Sequence, residues 1–312
     1  MRPTPLHILV AVDGSPGALA AVASVAALPL PERTRVTLLH VLTRYTPTHS
    51  SLPEGLLGGL RADEDARANA LLDTARHLLE RPGITVAQRV AEGHPAQVIV
   101  NRAVSKKVNL LVLGALGITA WARTLLGSTS QAVIKHAPCP VWVVRGTGGG
   151  VPEPRQTPFT VLVATDGSAS ARNALNFVAT LPLPAPRVAH LLQVLPSLNE
   201  QLNLIGAPLD PPVLEPLYEI GSYLERRSHQ LLDEQVHRLS PAFADVRTHV
   251  REGDPRRVIL ACADELDVDL IVMGSQGLTG LKEFLLGSVS HKVAKHSHRS
   301  ILLVPGPDTD AG

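Results

Sequence analysis

Runs of apolar residues alternate with amphipathic stretches along the first half of the chain. Residues 8–12 form a continuous apolar run that ends at Asp13-Gly-Ser, a pattern typical of a buried strand. Similar runs predict strands over residues 36–42, 84–90, 110–113 and 141–144, and helical patterns cover residues 16–27, 61–81, 95–107 and 128–136. Residues 43–60 are predicted to form a loop. Because strands that alternate with helices pair in parallel through right-handed crossovers, we predict a five-stranded parallel sheet sandwiched by helices.

The second half of the chain repeats the first. Asp13-Gly-Ser reappears with Asp166 at its start, 153 positions later, and Gly114 reappears as Gly274, 160 positions later. The second copy therefore contains about seven additional residues, which fall between the counterparts of positions 42 and 92. A repeat of this length indicates a duplicated domain. We predict one domain over residues 1–146, a Gly- and Pro-rich linker over residues 147–158 and a second domain over residues 159–312.

A glycine-rich loop follows the fourth strand of each copy. Its spacing is G-x2-G-x9-G-S, and its members are Gly114, Gly117, Gly127 and Ser128 in the first copy and Gly274, Gly277, Gly287 and Ser288 in the second. Glycines let backbone N–H groups approach a phosphate, and a helix start adds free donors and a positive dipole end. Turn glycines and an N-capping serine are the plain structural alternative. Since the spacing occurs twice after the same strand, it favours phosphate binding.

Composition narrows the function classes. The chain has 312 residues, of which 45% are hydrophobic and 3% aromatic, so we predict an aliphatic core. Two cysteines, Cys139 and Cys262, exclude a disulfide scaffold and a multi-cysteine metal site, and we expect buried thiols. The net charge of +1 argues against a general nucleic-acid binder. Because neither an apolar leader nor a transmembrane stretch is visible, the expected location is the cytoplasm.

The loop spacing, the Val12-Asp-Gly-Ser turn and the His-Ala-Pro-Cys-Pro-Val segment at residues 136–141 resemble the universal stress protein family. The resemblance spans nearly the whole chain as two tandem domains. It implies two Rossmann-like α/β domains (adenine nucleotide alpha hydrolase-like) and the binding of ATP, or ADP or AMP, with Mg2+, although some members lack the motif and bind no nucleotide. The residues that it assigns to the nucleotide are Ala11, Val12, Asp13, Val41, Leu113, Gly114, Gly117, Gly127, Ser128 and Thr129, and Ala164, Thr165, Asp166, Val194, Met273, Gly274, Gln276, Gly277, Gly287, Ser288 and Val289.

The resemblance also implies roles for these residues. Asp13 and Asp166 would contact the ribose or adenine, whereas the structural alternative for both is an Asx turn or N-cap. The valines would line the adenine pocket, and the loop would hold the phosphates. Many ATP-binding members carry Arg or His just before the second loop glycine, where this chain has Leu116 and Gln276. Only Gln276 can hydrogen-bond a phosphate, so we expect the second domain to bind at least as well as the first.

The two halves differ in charge. Residues 1–150 contain 15 Lys and Arg against 9 Asp and Glu, a net charge of +6, whereas residues 151–312 contain 14 against 19, a net charge of −5. Drift of surface composition is one explanation. The other is that complementary charge pairs the halves as an intramolecular pseudo-dimer, with a homodimer also possible. Apolar last strands at residues 141–144 and 301–304 fit the dimer strand of the family.

The sequence supports three functional hypotheses. The first is a stress-response protein whose bound nucleotide is a structural or regulatory ligand, without a catalytic residue and without robust turnover. The second is an interaction module of the same fold that binds no nucleotide. The third is an enzyme that uses ATP, or a weak ATPase. The sequence argues against it, because it shows neither a general base beside the loop nor a G-x4-G-K-[ST] motif. The expected partners of each domain are adenine nucleotide and the other domain of the same chain. Neither a nucleic acid nor a membrane is expected as a partner.

Overall fold

A computed structural model describes residues 6–43, 54–116, 126–146, 157–197, 211–277 and 286–307, without the side chains of residues 54–57 and 211–218. The chain divides into two compact units, residues 1–154 and residues 155–312. In the described part of the chain, none of the helices combines the length and the apolar character that a membrane crossing requires.

The first unit alternates strands and helices. In chain order they are β1 (His7–Ala11), α1 (Pro16–Ala26), β2 (Thr34–Leu42), α2 (Glu54–His77), β3 (Ile84–Glu92), α3 (Pro95–Ser105), β4 (Leu110–Gly114), α4 (Ser128–His136) and β5 (Val141–Val144). The start of α1 is specified locally. The Ser15 hydroxyl accepts a hydrogen bond from the Ala18 N–H at 3.1 Å, and Pro16 fits the first turn, where its missing N–H is not needed.

The second unit has the same order of elements. They are β6 (Phe159–Ala164), α5 (Ala169–Thr180), β7 (Arg187–Leu195), α6 (Pro211–Leu239), β8 (Asp245–Glu252), α7 (Pro255–Glu265), β9 (Leu270–Gly274), α8 (Ser288–His296) and β10 (Ser300–Val304). Ser168 caps α5, since its hydroxyl accepts from the Ala171 N–H at 3.2 Å. The duplicated order follows from the repeated sequence pattern.

Each unit is built on a parallel sheet whose strand order reverses at its centre. Among the described residues, the first unit has the order β3-β2-β1-β4-β5 and the second the order β8-β7-β6-β9-β10, with every pair parallel. The chain runs outward from the central strand and then returns to its other side. In open α/β sheets, ligands bind beyond the carboxyl ends of the strands at such a switch point. The predicted fold is confirmed.

The core is aliphatic, as the composition predicts. Among the described residues, the largest fully buried side chains are all leucine or isoleucine, and they include Ile8, Leu38 and Leu111 in the first unit and Leu162 and Leu191 in the second. The central strands are buried on both faces, because helices cover both sides of a parallel sheet. Both cysteines are free and buried, which confirms that prediction.

The second helix is longer than the sequence predicts. It begins at Glu54, so the prediction of a loop over residues 43–60 is wrong for residues 54–60. Gly58 and Gly59 hide the helical signal, because glycine costs roughly 1 kcal/mol relative to alanine inside a helix. A Cβ at either position would meet nothing within 4 Å, so these turns lie over solvent. They extend a helix whose later turns, from Ala68 onward, are packed against the sheet and provide its stability.

Candidate functional site

A cavity of about 370 Å³ lies at the carboxyl ends of the strands in the first unit. The ends of β1, β2 and β4 and the starts of α3 and α4 surround it. The predicted residues that line it are Ala11, Val12, Asp13, Val41, Leu113, Gly114, Gly127, Ser128 and Thr129. One further predicted residue, Gly117, lies outside the described residues. The first cavity therefore brings together every described first-domain residue that the sequence assigns to a ligand.

Hydrogen bonds fix the described ends of the loop between β4 and α4. The Gly127 N–H donates to the Ala115 carbonyl at 2.8 Å, and the Ala115 N–H donates to the Val144 carbonyl at 2.9 Å. The Ser130 hydroxyl donates to the Gly114 carbonyl at 2.9 Å. These bonds hold the end of the strand beside the start of the helix, so both edges of the loop meet the cavity in a defined position.

Gly114 allows β4 and α1 to meet backbone to backbone. A Cβ at this position would lie 2.5 Å from the carbonyl carbon of Gly17 and 2.8 Å from the Ala18 nitrogen, closer than real Cβ atoms come. The facing Gly17 is restricted in the same way, since its Cβ would lie 2.9 Å from the Leu116 carbonyl oxygen. The first loop glycine is therefore required by packing as well as by any ligand.

The start of α4 supplies backbone donors to the cavity. The first bond of the helix runs from the Gln131 N–H to the Gly127 carbonyl at 2.9 Å. The N–H groups of Ser128, Thr129 and Ser130 come before it and have no acceptor within the helix. Gly127 is the N-cap and offers no side-chain acceptor. Since Gly127, Ser128, Thr129 and Ser130 line the cavity, amides without an acceptor in the helix and the positive end of the helix dipole meet there, an arrangement that suits an anion.

Part of the cavity lining is apolar. Leu39, Val41, Ile99 and Leu113 line it, and none of these side chains has a polar atom. An apolar wall beside a few convergent polar groups is the usual composition of a small-molecule site. The first cavity therefore suits a ligand with one flat apolar part and one anionic part.

The two aspartates are turn residues and cavity residues at once. Asp13 Oδ1 accepts a hydrogen bond from the Ser15 N–H at 3.0 Å, and Asp166 Oδ1 accepts one from the Ser168 N–H at 2.9 Å. These are the Asx turns that the sequence offered as the structural alternative. Both residues nevertheless line their cavities. The turn fixes where the carboxylate stands, and one role does not exclude the other.

A second cavity of about 240 Å³ occupies the corresponding place in the second unit. The predicted residues that line it are Ala164, Thr165, Asp166, Val194, Met273, Gly274, Gln276, Gly277, Gly287, Ser288 and Val289. The loop is held as in the first unit: the Gly287 N–H donates to the Ser275 carbonyl at 2.7 Å, and the Ser290 hydroxyl donates to the Gly274 carbonyl at 2.8 Å. All of the second-domain predictions therefore surround one space.

The residue before the second loop glycine is anchored differently in the two units. In the first unit, the Ser15 hydroxyl donates to the Leu116 carbonyl at 3.2 Å and also caps α1. In the second unit, Ser168 caps α5, and Ser170 donates to the Gln276 carbonyl. Ser170 is the counterpart of Gly17. The second unit therefore uses one serine for the helix cap and another for the carbonyl, whereas the first unit uses Ser15 for both.

A buried polar contact supports only the second aspartate turn. The Gln235 amide of α6 donates to the Thr165 hydroxyl at 3.1 Å, and the Gly167 N–H donates to the same oxygen at 3.2 Å. Gln235 is 4% exposed. The corresponding residues of the first unit are Val12 and Ala75, which cannot make these bonds. The second cavity wall is thus tied to α6 by hydrogen bonds, whereas the first relies on apolar contact.

The structure adds residues that the sequence analysis missed. Pro95, Ile99 and Ser130 line the first cavity, and their counterparts Pro255, Ile259 and Ser290 line the second. Each pair is separated by 160 positions, the same spacing as the loop glycines. The repeat is therefore the signal that could have identified them, and Ser130 and Ser290 also stand two residues after the serine that ends the loop motif.

The duplicated cavity has a counterpart in known proteins. A model of the universal stress protein family matches residues 6–145 and again residues 159–305. The chain belongs to the universal stress protein family. Both matches together span most of the chain, which confirms the family that the loop spacing predicts and its tandem form.

Relatives of this family align over nearly their full length. The universal stress protein Rv2623 of Mycobacterium tuberculosis is 27% identical over 306 residues, which are 96% of each chain. A universal stress protein of Mycolicibacterium smegmatis is 26% identical over 309 residues, 96% of this chain and 97% of the relative. The crystal structure of a universal stress protein from Archaeoglobus fulgidus covers 97% of each chain with a TM-score of 0.62 at 20% identity, which supports the fold.

Proposed function

We propose that each unit binds an adenine nucleotide, ATP or its products ADP and AMP, with Mg2+, and that the nucleotide is a structural or regulatory ligand. One observation carries this proposal. In both units the cavity combines an apolar wall with a helix start whose first N–H groups have no acceptor within the helix. A nucleotide has the matching chemistry, since its base is flat and weakly polar and its phosphates are anionic.

The proposal assigns a part of the nucleotide to each part of the cavity. The apolar residues, among them Val41 and Val194, take the base, and Asp13 and Asp166 take the ribose or the base edge. The amides at the starts of α4 and α8, with the hydroxyls of Ser128 and Ser288, take the phosphates. Mg2+ suits this site because it is usually held by phosphate oxygens and waters with few protein ligands.

The second unit is the stronger candidate. Gln276 lines its cavity and carries amide hydrogens, whereas Leu116 lines the first cavity with a side chain that cannot donate. A hydrogen bond to a charged group contributes roughly 1.5–3 kcal/mol. The second site is therefore expected to bind ATP at least as tightly as the first. The alternative function, an interaction module without nucleotide, is favoured for the first unit by this same leucine.

Binding without robust turnover is the expected behaviour. The proposal places the two carboxylates of the predicted cavity residues, Asp13 and Asp166, at the ribose or the base edge and not at the phosphates. The cavity is thus suited to hold a nucleotide, and the bound state is what a partner would detect. Pairing of the two units, a homodimer and a cytoplasmic location stay predictions from the sequence.

The nucleotide content of the purified chain tests the proposal directly. The protein is purified gently, denatured and analysed by mass spectrometry for released adenine nucleotide. It is then titrated with ATP in the presence and absence of Mg2+ in a calorimeter. Released ATP, ADP or AMP, or saturable heat, supports the proposal. If no nucleotide is released and ATP produces no heat, the proposal is wrong and the interaction module takes its place.

Loop glycines locate the bound nucleotide. In Gly287→Val, the new side chain starts 3.3 Å from the Ser275 carbonyl oxygen and fills the loop, so we expect the loss of one ATP site by calorimetry. Gly127→Val is the matched change in the first unit and should lower the stoichiometry less. Gly221→Val is the control, because a Cβ there meets nothing within 4 Å. Equal losses, or a larger loss with Gly127→Val, would contradict the asymmetry.

A further inference from the structure

Two histidines face each other in the second unit. His190 Nδ1 and His249 Nε2 lie 2.9 Å apart, and their rings stack with centroids 5.2 Å apart. His190 is 4% exposed and stands in β7 between Ala189 and Leu191, which are fully buried. A pair of facing imidazoles is not required for the fold, because the first unit has Thr37 and Arg89 at the corresponding positions.

The pair lies next to the wall of the second cavity. Side chains alternate along a strand, so His190 is on the same face of β7 as Leu192 and Val194, both of which line that cavity. His249 is the register partner of Leu192 in β8. Any loss of the contact between the two rings therefore acts on the part of the sheet that supports the cavity.

The contact depends on the protonation of both rings. One nitrogen must donate and the facing nitrogen must accept, so a proton on both leaves two donors and two positive charges facing each other. Burial lowers the pKa of both rings, and the charge of His249 lowers the pKa of His190 further. Among the surrounding groups, Arg247 and Arg251 of β8 lower these pKa values, and Asp245 of β8 and Glu265 of α7 raise them.

One further titratable group lies close to the pair. Cys262 of α7 interacts with the same Arg251 and Glu265 that act on His249. Burial raises the pKa of its thiol, so Cys262 stays neutral over the range in which histidine titrates. The response of this cluster to pH in that range therefore comes from the two histidine rings.

The first unit contains a histidine whose contacts tolerate a proton. His7 Nδ1 lies 3.1 Å from the Lys106 carbonyl oxygen, and His7 Nε2 lies 3.0 Å from the Thr37 hydroxyl. A hydroxyl can donate or accept, so a protonated His7 keeps both hydrogen bonds. Burial lowers the pKa of His7 as well, so its protonation also costs the first unit some stability, but it breaks no hydrogen bond. Protonation therefore breaks a hydrogen bond between histidines in the second unit, whereas it leaves the hydrogen bonds of His7 in place in the first.

We propose that the contact between His190 and His249 is an acid-sensitive latch, which loosens the second unit and its cavity at mildly acidic pH more than the first unit. Its consequence for nucleotide affinity rests on the function proposed above. The direction follows from linkage. Because the folded pKa of each ring is below the unfolded value of about 6.5, the unfolded state binds more protons below that pH. The stability that the two neutral rings contribute to the second unit is fully present above about pH 6.5. It is lost as the pH falls toward the folded pKa.

Hydrogen exchange without nucleotide tests the latch. Exchange of peptides from β7 and β8 is compared with exchange of peptides from β2 and β3 at pH 7.5 and 5.5, after correction for intrinsic rates. Because the folded pKa of each ring lies below its unfolded value, we expect opening of β7 and β8 to increase several-fold over this range. The acceleration should be larger in β7 and β8, where two rings titrate and their contact breaks, than in β2 and β3. Equal acceleration in both units, or none in either, overturns the proposal.

Two variants separate the latch from general acid sensitivity. His249→Gln keeps a donor and an acceptor and removes one titrating ring, so the acid effect should shrink. His7→Gln is the matched change in the first unit and should leave β7 and β8 as in the original protein. If the acid effect persists undiminished in His249→Gln, the latch is wrong. Should this variant fail to fold, the original protein labelled with 15N-histidine decides by NMR: a His190 or His249 that titrates at or above pH 6.5 overturns the proposal.

Nucleotide binding provides a separate measurement. Calorimetry with ATP at pH 7.5 and 5.5 should show weaker binding at one of two sites at the lower pH. An unchanged second site would contradict the link between the latch and the cavity. If ATP fails to bind at either pH, the proposed function fails, while the exchange experiment still decides whether the latch exists.

Discussion

The two cavities have the same backbone arrangement, yet different side chains hold it in place. In the first unit, Ser15 both caps α1 and anchors the Leu116 carbonyl. In the second unit, Ser168 and Ser170 share these tasks. The difference shows that each unit anchors the described start of the loop, but not through the same serine. A duplicated domain can therefore exchange supporting residues while its cavity keeps the same lining positions.

The surroundings of the cavities differ more than the cavities themselves. The first unit has Val12 and Ala75 where the second has Thr165 and Gln235, and all four residues are buried. The Gln235 amide oxygen has no hydrogen-bond partner among the described atoms. Buried polar contacts specify one arrangement when they are complete and are costly when they are not. The second unit is thus the more dependent of the two on hydrogen bonds, and the first on close apolar packing.

The largest expected effect concerns packing at the first loop. Gly114→Ala places a methyl group 2.5 Å from the Gly17 backbone, which has no side chain to move aside, so we expect the first unit to lose about 3 kcal/mol of unfolding free energy. Each unit has one buried cysteine, Cys139 or Cys262, so thiol labelling in denaturant measures the opening of each unit separately. Burial raises the pKa of Cys139 to about 12, which keeps it unreactive until the unit opens.

A control variant and the second unit both serve as references for the Gly114→Ala measurement. Gly58→Ala is the control: it lies in open space in α2 and should stabilise the first unit by roughly 0.5–1 kcal/mol, because alanine is the better helix former. In Gly114→Ala, Cys262 should keep its original labelling rate. Equal destabilisation of both units, or none in the first, would show that the close approach of β4 and α1 does not limit stability.

An intermediate effect is expected from exchanging the residues before the second loop glycine. Gln276→Leu should weaken ATP binding at the second site about tenfold, because it removes a hydrogen bond to a charged group. Leu116→Gln should strengthen the first site by a similar factor. Calorimetry on each variant and on the double exchange measures both. If the double exchange does not reverse the order of the two affinities, another feature determines which unit binds better.

The smallest effect concerns the start of the third helix of each unit. Asp254 caps α7, accepting from the Arg256 N–H at 3.0 Å and the Arg257 N–H at 3.2 Å, whereas His94 stands at the start of α3 without a side-chain cap bond. Asp254→Ala should cost the second unit about 1 kcal/mol, and His94→Asp should stabilise the first unit by a similar amount. Denaturant unfolding followed by cysteine labelling assigns each change to its unit.

The pH dependence of the Asp254 cap is a second readout. Hydrogen bonding to Arg256 lowers the pKa of Asp254 to about 2. A carboxylate with a depressed folded pKa stabilises the fold above its unfolded pKa of about 3.9, and the contribution is lost as the pH falls through that value toward 2. Asp254→Ala should therefore differ from the original protein at pH 5 and converge with it near pH 2. A constant difference across this range would show that the cap does not act through its charge.

Most of the fold was predictable because the signals are local and occur twice. Apolar runs marked the strands, Ser-Pro marked the start of α1, and the spacing of the glycines marked the loop. The exception was the start of α2, where Gly58 and Gly59 conceal helical turns that the later, packed turns stabilise. Local propensity predicts the wrong state there because packing elsewhere in the same helix overrides it.

By itself, the sequence determined the family, the duplication and many of the residues that line each cavity, since period, spacing and repeat offset are properties of the chain. Only the tertiary structure decided which side chains support those residues. Ser170 stands on a helix 106 positions before the carbonyl that it anchors, Gln235 reaches Thr165 across 70 positions, and His190 meets His249 across 59. Such contacts follow from strand register and helix placement, which no local pattern encodes, and they are what makes two copies of one domain different.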